Sequence, residues 1–411
     1  MAHKFFIFLF FVIVHSAAAD TWVRSVGSRL WETASGFTKT RDGGFVLAGG
    51  AIGPDLNDSD PLLVKFDSKG AVKWQKTFSV EGLKRGANTV QGMAGGGFIV
   101  TAYDVLMKIT RTGDVEWTRM FTKAVLLFAR GTSDHGAIVS GYRNGKPWVA
   151  KLDAGAAVQW EYTYACISSE VATSVIETSD GNFIVGALTR CKAPFYGVEL
   201  LKIDPSGHVL WQKIYSNSNS DVFESHYLLG ISETDDAGYV MALNAAYRVK
   251  ILKLDAQGDI IWNRLYDMDV GASATPTDIQ QTPDGGYVFA HVNHLLKVNG
   301  TGEVSFHKVF GRRPGFNFTG LSQEKDGSYV LAASMIRHRR GTDFVLLKVD
   351  QNGNLNSPCV RVRDLPFNSE TATIEVFSNT GVNVRSVKSS VRDIIVTPGQ
   401  FVSDQNSCNS N

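Results

Sequence analysis

The chain has 411 residues, with 41 Lys and Arg against 40 Asp and Glu, and 44% of its residues are hydrophobic. A net charge of +1 provides no general attraction to nucleic acid, so we expect no nucleic-acid partner. The 24 Phe, 12 Tyr and 8 Trp exclude a disordered chain, because so much apolar surface has to be buried.

The first 19 residues have the pattern of a secretory signal peptide. Lys4 precedes an apolar run over 5–14, and small residues at 16–19 precede Asp20. The apolar run has about half of the roughly 20 residues that a membrane-spanning helix needs. We therefore expect residues 1–19 to be removed and the chain to be exported without a transmembrane span. Its destination would be the periplasm, the cell surface or the medium.

One sequence unit recurs seven times between residues 20 and 357. Its first element is a D-G-G-[FY] turn, whose seven copies begin at Asp42, Gly95, Asp134, Asp180, Asp236, Asp284 and Asp326. Its second element is K-x-D-x-x-G-x-x-x-W, whose Lys is always present: Lys65, Lys108, Lys151, Lys202, Lys253, Lys297 and Lys348. The last position of that element is usually Trp: Trp74, Trp117, Trp160, Trp211, Trp262, Phe306 and Ser357.

Each unit predicts four short strands. Asp-Gly between two apolar runs is the preferred chemistry of a tight hairpin, because Gly accepts a positive φ without steric cost. A unit of about 48 residues with four strands matches one blade of a β-propeller. The predicted fold is therefore all-β, a seven-bladed β-propeller over residues 20–357.

Both ends of the chain have a predicted role in this ring. Residues 22–26 resemble the fourth strand at 74–78, whereas the seventh unit has Ser357 in place of Trp. Trp22 therefore marks an N-terminal strand that closes the last blade, which removes a free sheet edge. Residues 358–411 alternate apolar and polar side chains and predict a small strand-rich appendage.

The four cysteines are expected to form disulfides in an exported chain. Cys166 and Cys191 are predicted to emerge on one face and could pair, while Cys359 and Cys408 bracket the tail. Closing a loop of about 48 residues would stabilise the tail by roughly 4 kcal/mol. There is no C-x-x-C pair, so zinc is not expected.

The repeated segments resemble those of exported prokaryotic β-propellers with D-G-G-[YF]-[VI]-L-A-G and K-x-D-x-x-G-x-x-x-W units. The second segment is also distantly similar to the tryptophan-docking motif of quinoprotein dehydrogenases. This resemblance implies that Trp74 and its equivalents pack between neighbouring blades. Because the chain has no vicinal Cys pair, we expect neither a quinone nor another organic cofactor. The resemblance implies a fold rather than an activity.

Loop lengths distinguish the two faces of the predicted disc. The Lys and the Trp position are nine residues apart in every unit, whereas 10 to 20 residues separate the first element from the Lys. Strand alternation places the second-to-third loops and the blade-to-blade connections together, on what we call the variable face. The constant face has the first-to-second and third-to-fourth turns. Variable loops on a rigid scaffold are where binding residues usually lie.

Two groups of loop residues on the variable face are candidate sites. An anionic or sugar ligand would contact basic side chains and an aromatic platform at Arg312, Arg313, Arg337, Arg339, Arg340, Phe195 and Tyr196. Calcium is the candidate ligand of the loop that contains Asp55, Asn57, Asp58 and Asp60. In the alternative interpretation the two charged loops only neutralise each other. The seven repeated lysines are expected to pair with the Asp two positions later or with neighbouring blades.

The predicted function is non-catalytic binding of a protein or a polysaccharide through the variable face. The chain lacks G-x-S-x-G, H-E-x-x-H and G-x-x-x-x-G-K-[ST] motifs. The alternative is a propeller enzyme that acts on glycans, or a degenerate quinoprotein, because carboxylates from different blades leave no local motif. Exposed aromatic residues on the variable face would favour the binding protein. Clustered carboxylates near the central channel would favour the enzyme.

Overall fold

The computed structural model of the chain describes most of the residues between 20 and 406. The described ranges are 20–27, 31–52, 59–80, 85–165, 171–189, 197–216, 227–245, 248–268, 278–311, 315–337, 341–357, 360–365, 369–371, 374–378, 383–386, 391–392, 396–400 and 404–406. Within them there is no helix that is long and apolar enough to cross a membrane.

The described strands form seven antiparallel sheets, one for each sequence unit. Strand β1 (Trp22–Gly27) comes first in the chain. Blade 1 contains β2 (Trp31–Lys39), β3 (Phe45–Ile52), β4 (Ser59–Phe66) and β5 (Val72–Val80). Blade 2 contains β6 (Thr89–Gly92), β7 (Phe98–Ala102), β8 (Val105–Ile109) and β9 (Val115–Phe121). Blade 3 contains β10 (Ala124–Gly131), β11 (Ala137–Arg143), β12 (Lys146–Leu152) and β13 (Val158–Ala165).

The remaining blades follow the same plan. Blade 4 contains β14 (Val171–Glu177), β15 (Phe183–Thr189), β16 (Gly197–Ile203) and β17 (Val209–Ser216). Blade 5 contains β18 (Tyr227–Glu233), β19 (Tyr239–Ala245), β20 (Arg248–Leu254) and β21 (Ile260–Tyr266). Blade 6 contains β22 (Ile279–Gln281), β23 (Tyr287–His291), β24 (His294–Val298) and β25 (Val304–Phe310). Blade 7 contains β26 (Phe316–Gln323), β27 (Tyr329–Arg337) and β28 (Gly341–Val349).

The ring is closed by the N-terminal strand, as the sequence predicts. Strand β1 pairs with β28, and Trp22 lies opposite Lys348 in the same register that places Trp74 opposite Lys65 in blade 1. A buried hydrophobic cluster lies at each of the seven junctions between neighbouring blades, including the junction of blades 7 and 1. The chain is therefore a seven-bladed β-propeller whose cores lie between the blades.

The C-terminal tail is strand-rich, as the sequence predicts, and its strands join the blades of the ring. Its strands are β29 (Val362–Asp364), β30 (Ser369–Glu370), β31 (Glu375–Ser378), β32 (Asn383–Ser386), β33 (Val391–Arg392), β34 (Val396–Gln400) and β35 (Asp404–Asn406). In that order they pair with the outermost strands of blades 6, 5, 4, 3, 2, 1 and 7. The tail thus runs around the whole ring and adds a fifth strand to every blade, because each outer strand would otherwise expose unpaired backbone groups.

Candidate functional site

The repeated lysines are structural residues, and their partners differ from those expected. Lys65 Nζ lies 2.9 Å from Asp42 in the first-to-second turn of the same blade, and it also donates to the backbone oxygen of Phe66. The same lysine-to-turn pair occurs in five further blades, at Lys151–Asp134, Lys202–Asp180, Lys253–Asp236, Lys297–Asp284 and Lys348–Asp326. The Asp two positions after the Lys instead caps its own turn, since Asp67 accepts hydrogen bonds from the backbone of Lys69 and Ala71.

The turn carboxylates are held in their charged form. Burial alone would raise their pKa, but hydrogen bonds from the lysine and from a neighbouring hydroxyl outweigh this effect. The pKa is lowered to about 2 in Asp42, Asp134, Asp236, Asp284 and Asp326. These groups are occupied in holding the turns and are not free for catalysis.

The tryptophans of the second element contact the next blade. Trp262 Nε1 donates to Gly300 O at 2.9 Å, and its ring packs over Gly302 in the third-to-fourth turn of blade 6. Gly302 has a φ of 82°, and a Cβ there would lie 3.0 Å from the ring. The equivalent pairs are Trp22 with Gly70, Trp74 with Gly113, Trp160 with Gly207 and Trp211 with Gly258. At the junction of blades 2 and 3, Trp117 Nε1 is buried without a hydrogen-bond partner in the described part of the chain, and the equivalent turn has Ala156 in place of Gly.

A ring of side chains at the mouth of the central channel distinguishes the blades. The last residue of each innermost strand lies there: Lys39, Gly92, Gly131, Glu177, Glu233, Gln281 and Gln323. Glu177 accepts hydrogen bonds from the backbone and hydroxyl of Ser133 in the preceding blade, at 2.8 and 2.7 Å. Glu233 contacts Ser179 in the same way. Blades 2 and 3 have Gly92 and Gly131 at this position, so no side chain reaches back to the turns of blades 1 and 2.

A cavity of about 440 Å³ opens on the constant face where these two glycines lie. It is bounded by turns of blades 1 and 2 and by the end of β10. Its charged residues are Lys39, Arg41, Lys65, Arg111, Arg130 and Asp42. Two of the basic side chains already have acidic partners, since Lys39 pairs with Glu324 at 2.8 Å and Lys65 pairs with Asp42.

The central channel behind this cavity contains two ionisable side chains of opposite charge, Asp278 and Arg130. Burial raises the pKa of Asp278 to about 6, and this shift is opposed by the charge of Arg130 and by a hydrogen bond from the backbone N–H of Leu321. Burial lowers the pKa of Arg130, and the charges of Asp278 and Glu177 oppose that shift. The unpaired backbone groups of the innermost strands are also satisfied by side chains, as Gln280 Nε2 donates to Leu321 O at 2.8 Å.

Most of the predicted site residues lie outside the described residues. These are Arg312, Arg313, Arg339, Arg340, Phe195, Tyr196, Asp55, Asn57, Asp58 and the four cysteines Cys166, Cys191, Cys359 and Cys408. Arg337 ends strand β27, and its side chain is not described. Asp60 lies in β4 and accepts a hydrogen bond of 2.7 Å from the hydroxyl of Ser79. The predicted arginine patch, calcium loop and disulfides therefore stay predictions.

Among the described residues, no group of three or more His, Cys, Asp and Glu side chains is placed to hold a metal ion. The histidines of blade 6 lie in the protein interior. His294 Nδ1 is 2.8 Å from His307 Nε2, and burial lowers the pKa of His307 to about 4. These two rings are packing residues of the sheet.

The variable face exposes large apolar side chains on three consecutive blades. The exposed fractions are 43% for Ile336 of blade 7, 45% for Trp31 of blade 1 and 38% for Tyr103 of blade 2. The guanidinium of Arg85 lies 5.1 Å from the centroid of the Tyr103 ring. We call Ile336, Trp31 and Tyr103, together with the Arg85 side chain that covers Tyr103, the apolar patch.

Solved structures similar to this chain are propellers. Virginiamycin B lyase from Staphylococcus aureus, a catalytically inactive variant with quinupristin, has a TM-score of 0.57 at 9% identity, covering 80% of this chain and 100% of that chain. The likeness establishes the fold alone. The Pan2 WD40 domain of Neurospora crassa has a TM-score of 0.49 at 11% identity, covering 77% of this chain and 89% of that one. Sqt1 from Chaetomium thermophilum has a TM-score of 0.49 at 11% identity, with coverages of 81% and 87%. No protein-family model and no curated protein sequence matches the chain.

Proposed function

We propose that this propeller is an exported, non-catalytic binding protein that recognises a protein or a polysaccharide through its variable face. The apolar patch supports this proposal, because neighbouring blades place Ile336, Trp31 and Tyr103 at the same end of the disc. Solvent exposure of large apolar side chains is unfavourable in a monomer, and a cluster of them is typical of an interaction surface. Export is supported by the apolar run and the small residues in the first 19 positions.

Of the two ligand classes, the composition of the patch favours a protein. Trp, Tyr and Arg dominate the binding energy of protein interfaces, and an aliphatic side chain adds apolar area beside them. The ring of Tyr103 is already partly covered by Arg85, which makes it a poor platform for stacking a sugar. Trp31 is the most exposed of the three apolar side chains and would be the central contact of the patch.

Site-specific crosslinking tests this proposal. The photoreactive residue p-benzoylphenylalanine is placed at position 31 or 103, and the control position is 261, where Ile261 is 57% exposed on a fourth strand. We expect saturable crosslinking to one protein of the cell envelope at positions 31 and 103, and none at 261. Equal labelling at all three positions would contradict the proposal. Binding to a glycan array that is lost in Trp31→Ser would assign the patch to a polysaccharide.

An enzyme is the second candidate, and the observation that favours it is Asp278. A channel carboxyl with a pKa of about 6 could donate or accept a proton near neutral pH. Glu177, the other carboxylate whose charge acts on Arg130, is occupied by Ser133. Hydrolysis of aryl glycosides by the purified chain, lost in Asp278→Asn, would support the enzyme. Equal rates for both forms would exclude this role for Asp278.

A further inference from the structure

The constant-face cavity has an excess of unneutralised positive charge. Five basic side chains and one carboxylate line it. Lys39 and Lys65 are paired with acids, and the charges of Asp278 and Glu177 act on Arg130, whereas Arg41 and Arg111 have no hydrogen bond or ion pair to another described side chain. The guanidinium groups of Arg41 and Arg111 line the same opening, and an anion bound between them would reduce the repulsion between their charges.

The cavity exists because two adjacent blades, 2 and 3, have glycine at the channel-mouth position. In blades 4 and 5 a glutamate at the channel mouth fills the equivalent space and accepts hydrogen bonds from the preceding turn. Gly92 and Gly131 remove both the side chain and its negative charge. A Cβ on Gly92 would have only ordinary contacts, 3.8 Å from Thr38 Oγ1, so the backbone does not require glycine there.

We propose that this cavity binds a small ligand through a phosphate or sulfate group. Guanidinium groups recognise such oxyanions with paired, charge-assisted hydrogen bonds. The volume of about 440 Å³ fits a ligand of the size of a monosaccharide ester rather than a free ion alone. This site lies on the face opposite to the apolar patch, so it is independent of the proposed function.

Calorimetric titration of the purified chain tests the proposal with inorganic phosphate, inorganic sulfate, glucose 6-phosphate and glucose, at constant ionic strength set with chloride. We expect saturable binding of glucose 6-phosphate, weaker binding of at least one inorganic ion, and no binding of glucose. The two inorganic ions distinguish a phosphate site from a sulfate site.

Matched variants locate the binding. Gly92→Glu introduces the carboxylate that blades 4 and 5 have, and Arg111→Gln removes one guanidinium; each should weaken binding at least about tenfold. Gly92→Ala and Arg363→Gln, the latter at an exposed position in the tail, are controls expected to keep the affinity within about twofold. Unchanged affinity in both Gly92→Glu and Arg111→Gln would overturn the proposal. So would the absence of binding of every anion by the parent chain.

Discussion

Blades 2 and 5 share one architecture but differ in the contacts that their repeat residues make. In blade 5, Lys253 pairs with Asp236 of the first-to-second turn, Glu233 closes the channel mouth, and Trp262 donates to the next blade. Lys253, Asp236, Glu233 and Trp262 therefore each have a partner within the scaffold. These repeat residues of blade 5 stabilise the fold.

Blade 2 departs from that arrangement at the same positions. Gly95 replaces the turn aspartate, and Lys108 pairs instead with Glu116 at 2.8 Å. Gly92 replaces the channel-mouth carboxylate, and Trp117 Nε1 has no hydrogen-bond partner among the described residues, unlike the indole N–H of Trp74, Trp160 and Trp262. The basic cavity lies beside this blade. The comparison shows that residues which follow the repeat build the propeller, while departures from the repeat identify its candidate site.

The largest expected difference in stability between the two blades concerns their repeat lysines, Lys253 and Lys108. Lys253→Met removes the partner of Asp236 and leaves the backbone oxygen of Leu254 unsatisfied, which should cost about 1–3 kcal/mol of unfolding free energy. Lys108→Met breaks a pair whose lysine is less buried, with 15% of its side chain exposed against 5% for Lys253, and should cost about 0–1 kcal/mol. Urea unfolding of both variants measures the two costs. Equal costs would show that the two blades do not differ in this way.

The stability that the Lys253–Asp236 pair provides should decrease at acidic pH. Burial opposes ionisation of Asp236, but hydrogen bonds from Lys253 and Thr234 lower its pKa from 3.8 to about 2. Stability from this pair is therefore fully present above about pH 4 and is lost as the pH falls toward 2. The difference between the parent chain and Lys253→Met should shrink over that interval in urea titrations. A difference that is constant from pH 6 to pH 2 would contradict the assignment.

A smaller difference in stability is expected between variants of the two repeat tryptophans, Trp262 of blade 5 and Trp117 of blade 2. Trp262→Phe loses the hydrogen bond to Gly300 O, whereas Trp117→Phe removes an indole N–H that has no described partner. Trp262→Phe should therefore cost about 1 kcal/mol more than Trp117→Phe. Thermal or urea unfolding gives both values under the same conditions. A larger cost at position 117 would mean that its N–H is satisfied in solution.

Restoring the repeat in blade 2 should have the smallest effect. Gly95→Asp gives Lys108 the turn carboxylate that other blades have, and the new Cβ would lie 3.6 Å from His135 Nδ1, an ordinary contact. We expect a gain of about 0.5–1 kcal/mol in unfolding free energy. A loss of stability in urea unfolding would show that the blade-2 turn has adapted to glycine.

The repeats predicted the fold because each motif position has a local physical role. Seven hairpin turns and seven Lys-to-Trp segments fix the blades, and Trp22 in the register of Trp74 reveals the ring closure. The tail was predicted only as strand-rich. Its strands have two to five residues, and their partners are set by the curvature of the finished ring, which no local pattern contains.

The candidate sites were less predictable. Loop length points to the variable face, whereas the cavity arises from Gly92 and Gly131, where the absence of a side chain gives no sequence motif. The usable signal was the residue six positions before the repeat aromatic, which is Lys, Glu or Gln in five units and Gly in two. The predicted lysine partners are wrong because the turn aspartate is distant in sequence and becomes a neighbour only when the two strands pair.

A crystal structure of the chain soaked in selenate tests most directly whether the break in the repeat creates a binding site. Selenate resembles sulfate, and its selenium gives an anomalous signal that locates the ion without interpretation of weak density. We predict an anomalous peak within hydrogen-bonding distance of Arg41 and Arg111 in the parent chain, and no peak there in Gly92→Glu. Peaks confined to other parts of the surface, or a peak that persists in the variant, would contradict the account.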